Sequence, residues 1–166
     1  MPEQPADLAK LTEMLDGVRF TMFTTRSEGG LRSRPMTTLE TDAAGSIWFF
    51  GTQDSDLTDE IKADPQVVLT YADNGAGRYV SVRGIATPRD DRAKVKELWN
   101  PIHKAWYEGE DDAKLQLIEV QIESADYWDG PKSRLVRMAS IVAAAVTGRE
   151  YGAGEEGEIK VAGSTR

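Results

Sequence analysis

Few residues in this chain could act on a substrate directly. It contains no cysteine and a single histidine, His103. Without cysteine there is no disulfide framework, no thiolate metal site and no cysteine nucleophile. His103 lacks an HExxH-type partner, so neither a zinc site nor a histidine-dependent triad is supported, and it reads as a partly exposed helix residue. The acidic run Glu108-Gly109-Glu110-Asp111-Asp112 lacks the Dx[DN]x[DN]G spacing that wraps calcium and reads as a solvated loop. What remains is suited to binding rather than to acid–base work. Arg34-Pro35-Met36-Thr37 and Ile47-Trp48-Phe49-Phe50 fall on successive predicted strands, a pair that can present backbone amides to a flat ring. Phe50-Gly51-Thr52 runs on towards Ser55, and Tyr79, Ser81 and Arg83 alternate on one strand face. Trp99, Trp106 and Tyr107 form an aromatic cluster. Each has a bland reading beside it: Pro35 suits an edge strand, Ser55 caps a helix, alternating polar residues mark a solvent face, and helical aromatics usually pack in a core.

The elements that must position these residues can be read from periodicity. Leu8, Leu11 and Leu15 share a helical face that ends at Gly17. Val18 to Thr25, Leu31 to Thr41 and Ser46 to Gly51 read as a three-stranded meander, with turns at Glu28-Gly29-Gly30 and Asp42-Ala43-Ala44-Gly45. Ser55 caps a short helix that turns Leu57 and Ile61 inward and stops before Pro65. Gln66 to Tyr71 and Arg78 to Ala86 form a second hairpin around Asn74-Gly75. Thr87-Pro88 then reads as the cap and first position of a helix carrying Val95, Leu98, Trp99 and Ile102, with a bend at Asn100-Pro101 and a second short helix through Tyr107. Leu115 to Ile122 supplies a sixth strand, continued by Asp126-Tyr127-Trp128-Asp129. Ser133 caps a last helix with an apolar stripe of Leu135, Met138, Ala139, Val142 and Val146. Residues 1–150 read as one domain and 151–166 as a Gly- and Glu-rich tail.

Short strands, late helices and no βαβ alternation define a mostly β fold with peripheral helices, an antiparallel barrel. There is no GxGxxG or Walker loop. The net charge of −8 argues against nucleic acid, which requires a basic face. Lys132, Arg134 and Arg137 form a small basic cluster suited to surface pairing. No apolar run approaches the roughly 18 residues of a membrane span, and the N-terminus lacks a secretory pattern, so a cytoplasmic protein is expected.

Taken together, Arg34-Pro35-Met36-Thr37, Ile47-Trp48-Phe49-Phe50, Leu98-Trp99-Asn100-Pro101 and Ala105-Trp106-Tyr107-Glu108-Gly109 resemble the flavin-binding split-barrel proteins. The resemblance is to the general stress proteins of the pyridoxamine 5′-phosphate oxidase-like superfamily and runs over most of the chain. It implies a six-stranded Greek-key split barrel and a homodimer with FMN at its interface. It also implies an oxidoreductase-like activity whose substrate it does not supply. By the same resemblance, Arg34, Pro35, Met36 and Thr37 line the ring, with Arg34 as the phosphate or ribityl contact. Phe50, Gly51, Thr52 and Ser55 lay the phosphate against a helix N-terminus, where unpaired amides favour an anion. Tyr79 hydrogen-bonds the ring, and Trp106 walls the ring of the other subunit. The chain departs from the family where a cation is expected after Ser55, because Asp56 and Leu57 stand there. Compensating charge then comes from Arg32, Arg34 or Arg83, or FMN binds weakly, or another ligand is used. Two alternatives remain beside the enzyme: a non-catalytic flavin or small-ligand sensor module, and a deazaflavin- or haem-utilising relative.

Overall fold

The computed structural model describes residues 6–131, 134–148 and 154–161. The chain opens with helix α1 (Ala6–Leu15), whose Leu8, Leu11, Met14 and Leu15 are all buried, as the i, i+3, i+7 spacing predicts. Gly17, at φ 79°, makes the left-handed exit that favours glycine. Strands β1 (Phe20–Ser27) and β2 (Gly30–Thr37) form the first hairpin. The predicted single strand to Thr41 breaks after Thr37, and a two-residue strand β3 (Glu40–Thr41) pairs instead with β4 (Ser46–Thr52). Helix α2 (Asp56–Ala63) follows, with Ser55 as its N-cap and Leu57 and Ile61 buried as expected. The second hairpin is β5 (Gln66–Asp73) with β6 (Arg78–Arg89).

Thr87-Pro88 does not start a helix. Both residues belong to β6, where they pair with Glu119 and Ile118, and α3 (Arg92–Leu98) begins only after Asp91, whose carboxylate accepts from the Lys94 amide at 2.9 Å. Asp91 is a stronger cap than Thr87, and the strand continues for as long as it has a partner. The bend at Asn100-Pro101 is present: Asn100 caps a 3₁₀ helix (Pro101–Ala105) in a capping box completed by His103. Ile102, assigned by periodicity to the core stripe, is exposed, because the 3₁₀ turn rotates it away from the face that α3 buries.

Strand β7 (Leu115–Asp129) runs through the predicted sixth strand and its continuation without a break. One edge holds β6, while the other holds β4 from Leu115 to Gln121 and then β8 (Glu155–Lys160) from Ser124 to Asp129. The sheet order is β2-β1-β5-β6-β7-β4-β3, with β8 on β7. All pairings are antiparallel, so the barrel class expected from the sequence is the class observed. Eight described strands replace the expected six, because the second strand divides and part of the Gly/Glu-rich tail joins the sheet as β8. A bulge at Arg83/Gly84 bends the β6–β7 ribbon, and a Cβ at Gly84 would stand 2.5 Å from the Gln121 carbonyl oxygen. That position therefore requires glycine.

The core lies inside the curved sheet, around Phe23 and Phe49 in an edge-to-face contact with centroids 5.2 Å apart. The buried Tyr71 hydroxyl sits 2.9 Å from Thr38 Oγ1, and its burial raises the phenol pKa to about 12. A smaller cluster of Val95, Leu115 and Leu117, packed against Trp48, Phe50, Trp99 and Tyr107, lies under α3 and the 3₁₀ turn. Helix α4 (Arg134–Thr147) lies between β7 and β8. Ser133 and Lys132, expected to cap and flank it, lie outside the described residues, as do the side chains of Arg134, Leu135 and Arg137. Among the described residues, no helix is long and apolar enough to cross a membrane.

Candidate flavin site

The polar half of the site is built from β1, β2 and α2. Strand alternation places Thr25 and Arg34 on the face of the first hairpin that meets α2. There Arg34 Nη1 donates to Thr25 Oγ1 at 2.9 Å and Nη2 donates to Glu60 Oε2 at 2.5 Å, while the Thr25 hydroxyl donates to the same carboxylate oxygen at 2.5 Å. The Arg34 and Glu60 side chains are 18% and 12% exposed, which makes this a largely desolvated pair. Burial pushes the Glu60 carboxyl up, but hydrogen bonds from Thr25 and Arg34 and the charges of Arg34 and Arg32 outweigh it and hold the group below its usual range. Two residues back along β2, Arg32 Nη1 donates to Asp56 Oδ2 at 2.6 Å and lies 3.6 Å from Glu60. By hydrogen bond first and charge second, Arg32 holds the exposed Asp56 carboxyl below its ordinary value. At the α2 N-terminus the Thr52 carbonyl accepts from both Ser55 Oγ and Thr58 Oγ1 at 2.7 Å.

This donor set tests the fit of a flavin phosphate. Two guanidinium groups and hydroxyls converge near the first turn of α2, a chemistry that suits an anion. Both guanidinium groups are already matched by carboxylates, so Arg32, Arg34, Asp56 and Glu60 together contribute no net charge. The residues fit a flavin's polar end through hydrogen bonds and exchangeable ion pairs rather than through surplus positive charge. Arg83, the third candidate cation, is directed elsewhere: it lies 3.1 Å from Glu158 and 3.8 Å from Asp126 on the outer sheet face.

The aromatic half lies beyond the β4–α2 turn. Phe50 packs edge-on to His103, with centroids 5.0 Å apart, and near Trp99 and Tyr107 at 6.2 and 6.4 Å. The Tyr107 hydroxyl donates to the Gly51 carbonyl at 2.9 Å, fixing the end of β4, and burial raises its pKa. His103 is a partly exposed helix residue, as the sequence reads it, and it has a partner. Its Nδ1 accepts from the Asn100 amide at 3.0 Å, and burial, followed by the charge of Arg19, lowers its pKa.

The structure therefore brings Arg34, Thr52 and Ser55 to α2, and gathers Phe50 and Gly51 with Trp99, His103 and Tyr107. Two expected residues stand apart within one chain. Trp106 is 72% exposed beside an open groove of about 650 Å³ lined in part by Tyr107, Glu108, Asp111 and Asp112. Tyr79 is on the outer sheet face, where it pairs with Trp128 and donates to Asn74 Oδ1 at 3.2 Å. A second hollow, of about 380 Å³, lies between the end of α1 and Thr38–Thr41, away from both groups. Sequence reasoning missed Glu60 and Thr25. The signal for Glu60 was present, since it shares a helical face with the inward Leu57 and Ile61 and must meet a partner there.

Known proteins share this fold. A family model described as pyridoxamine 5′-phosphate oxidase like matches residues 6–152. Protein bli-3 of Neurospora crassa is 29% identical over 161 residues, spanning 89% of this chain and 77% of that protein. Among solved structures, a Jannaschia sp. CCS1 protein described as a general stress protein 26 superposes with a TM-score of 0.74 at 25% identity, covering 94% of this chain and 99% of that one. The general stress FMN/FAD binding protein of Xanthomonas citri gives 0.66 at 32% identity, with 75% and 89% covered. A family match over residues 6–152 makes this chain a member of the pyridoxamine 5′-phosphate oxidase-like family.

Proposed function

We propose that this protein is a flavin-binding, oxidoreductase-like general stress protein that holds FMN non-covalently at the interface of a homodimer. The observation that carries the reading is the convergence of Arg32 and Arg34 on the first turns of α2, beside the Ser55 cap. Support comes from family membership and from the Xanthomonas citri relative described as FMN/FAD binding. In this reading the backbone of Pro35, Met36 and Thr37 lines the ring. Arg34, Thr52 and Ser55 hold the ribityl and phosphate end, and Phe50 and Gly51 shape the turn between. Trp106, exposed on its own chain, walls the ring of the other subunit, and Tyr79 supplies a hydrogen bond to the ring. When bound, the flavin supplies the electron chemistry. The chain's residues orient it, exclude water and direct backbone donors at it, so no side-chain acid or base is assigned.

The visible spectrum of freshly purified protein tests this. Oxidised-flavin bands support it, a Soret band would favour haem, and a colourless protein that refuses added FMN would overturn it. Titration then places Arg34. Arg34→Ala should weaken FMN more than riboflavin by about 1.5–3 kcal/mol, the worth of a hydrogen bond to a charged group. Equal weakening of both would remove Arg34 from the phosphate. A second reading, a non-catalytic module for a flavin or another ligand without a dianion, draws on the pairing of Asp56 with Arg32, and riboflavin binding as tightly as FMN would favour it.

A further inference from the structure

Strand β2 stands at one end of the sheet order, so among the described residues its outer edge has no strand beside it. Which of its backbone groups face that edge follows from the phase of the β1–β2 ladder, and two observations fix the phase. The hairpin closes on Ser27 opposite Gly30 around a two-residue turn. At the other end the Thr38 amide donates to the Arg19 carbonyl at 2.8 Å. Residues of an antiparallel pair exchange hydrogen bonds at every second position. The backbone groups of Gly30, Arg32, Arg34, Met36 and Thr38 therefore turn to β1, whereas those of Ser33, Pro35 and Thr37 face the open edge.

Pro35 has no N–H to offer. Along the segment assigned to the ring, the edge thus carries one donor, the Thr37 amide, beside two acceptors, the Pro35 and Thr37 carbonyls. The N–H and C=O of one strand residue point the same way, so half-buried Thr37 presents a donor and an acceptor side by side. Its neighbours hold this pair in place. Thr38 is tied to the Arg19 carbonyl and, through Oγ1 at 2.9 Å, to the hydroxyl of the buried Tyr71, and the Leu39 amide donates to the Trp48 carbonyl at 2.9 Å.

An oxidised flavin has two polar edges that could meet such a pair. N5 and the adjacent O4 are both acceptors, and against them the Thr37 carbonyl would face an acceptor and stay unmatched. The pyrimidine imide carries an N–H between two carbonyls and answers both groups at once. Its distance also suits the phosphate end of the site. From Arg34 to Thr37 the strand advances about 10 Å, the order of the extended ribityl chain that joins a flavin's phosphate to its ring.

We infer that Thr37 reads the imide edge of the flavin: its amide donates to a pyrimidine carbonyl, and its carbonyl accepts from the ring N3–H. This rests on the flavin reading above and adds which edge of the ring the chain recognises. Calorimetric titration of the flavin-free protein compares FMN with 3-methyl-FMN, which lacks the imide proton, and with 5-deaza-FMN, which lacks the N5 acceptor. 3-Methyl-FMN should bind roughly tenfold more weakly or worse, because the Thr37 carbonyl is left unmatched, and 5-deaza-FMN should stay within about twofold of FMN. Thr37→Pro removes the donor at an edge position that tolerates proline and should weaken FMN about fivefold, whereas Thr37→Ala keeps the donor and should not. The wild-type titrations stand even where Thr37→Pro fails to fold. If 5-deaza-FMN is instead the analogue that binds weakly, the amide serves N5 and the imide assignment falls. If both analogues bind like FMN, the ring does not lie on the β2 edge. In both of these cases FMN still binds and the flavin reading survives, whereas a protein that binds none of the three overturns that reading and the assignment with it.

Discussion

Replacing Glu60 by Gln keeps the shape of the side chain and removes the charge that holds Arg34. Both partners are mostly desolvated, at 12% and 18% side-chain exposure. The cost should therefore fall between the ~0–1 kcal/mol of an exposed pair and the 3–5 kcal/mol lost when a buried pair is broken. About 2–3 kcal/mol is expected, because Thr25 can still serve the guanidinium. For a chain of 166 residues, at ~2–4 °C per kcal/mol, the melting temperature drops by roughly 5–10 °C. The effect depends on pH with a definite sign. The folded-state pKa of Glu60 lies below its ordinary value of 4.5, so its contribution is fully present above that pH and is lost as the pH falls through the folded-state value. The gap between wild type and Glu60→Gln should therefore close in acid. Thermal melts of Glu60→Gln, Arg34→Met and the double variant give the coupling energy, and a value under about 0.5 kcal/mol would refute the pair as a unit. The same melts report on the site. If the phosphate of FMN takes the place of the missing carboxylate, FMN should raise the melting temperature of Glu60→Gln more than that of wild type, and riboflavin should not. An equal rise with both flavins would separate Arg34 from the phosphate.

Trp106→Phe should lower flavin affinity and reduce fluorescence quenching on binding while leaving the melting temperature of the cofactor-free protein almost unchanged, since the indole is largely exposed. Destabilisation without loss of affinity would make it structural. His103→Gln retains an acceptor for the Asn100 amide, as a capping box allows, but removes a group whose pKa is lowered on folding. The wild type should lose stability as the pH falls below about 6.5, and the variant should lose less, as urea melts at pH 7.5 and 5.5 would read. Gly84→Ala drives a Cβ to 2.5 Å from the Gln121 carbonyl and should cost about 3 kcal/mol. A melting temperature equal to wild type would show that the bulge can move.

Legibility in the sequence followed the range of the interactions. Periodicity located α1 and α2, whose inward leucines and isoleucine obey the 3.6-residue repeat, and turn residues located the hairpins, because both signals are local. It misplaced the start of α3, since whether Thr87-Pro88 caps a helix or extends β6 depends on Glu119 and Ile118, thirty residues away. Nor did it place a strand in the Gly- and Glu-rich tail. Glu155–Lys160 has little strand propensity of its own, yet it is placed by the half of β7's edge that β4 leaves vacant. At the site, the residue types were readable and their partners were not. Arg34 was recognised as a cation near the α2 N-terminus, but nothing in the one-dimensional pattern states that Glu60 and Thr25 already hold it.

That pairing changes what the site asks of a ligand. A lone arginine beside a helix N-terminus would attract any anion, with a strength set by charge. An arginine bound to Glu60 and Thr25, with Arg32 beside it bound to Asp56, offers directed hydrogen bonds inside a neutral cluster, and an incoming phosphate must displace a carboxylate to gain an ion pair. The two exchanges differ. Asp56 is 73% exposed and can swing into water, whereas Glu60 is held by α2 and by Thr25. Discrimination between FMN and riboflavin should therefore be governed by Asp56, and stability by Glu60. Asp56→Asn should raise FMN affinity several-fold relative to riboflavin with the melting temperature unchanged. A substitution that instead shifted both flavins equally would place the phosphate away from Arg32 and assign the α2 N-terminus a purely structural cap.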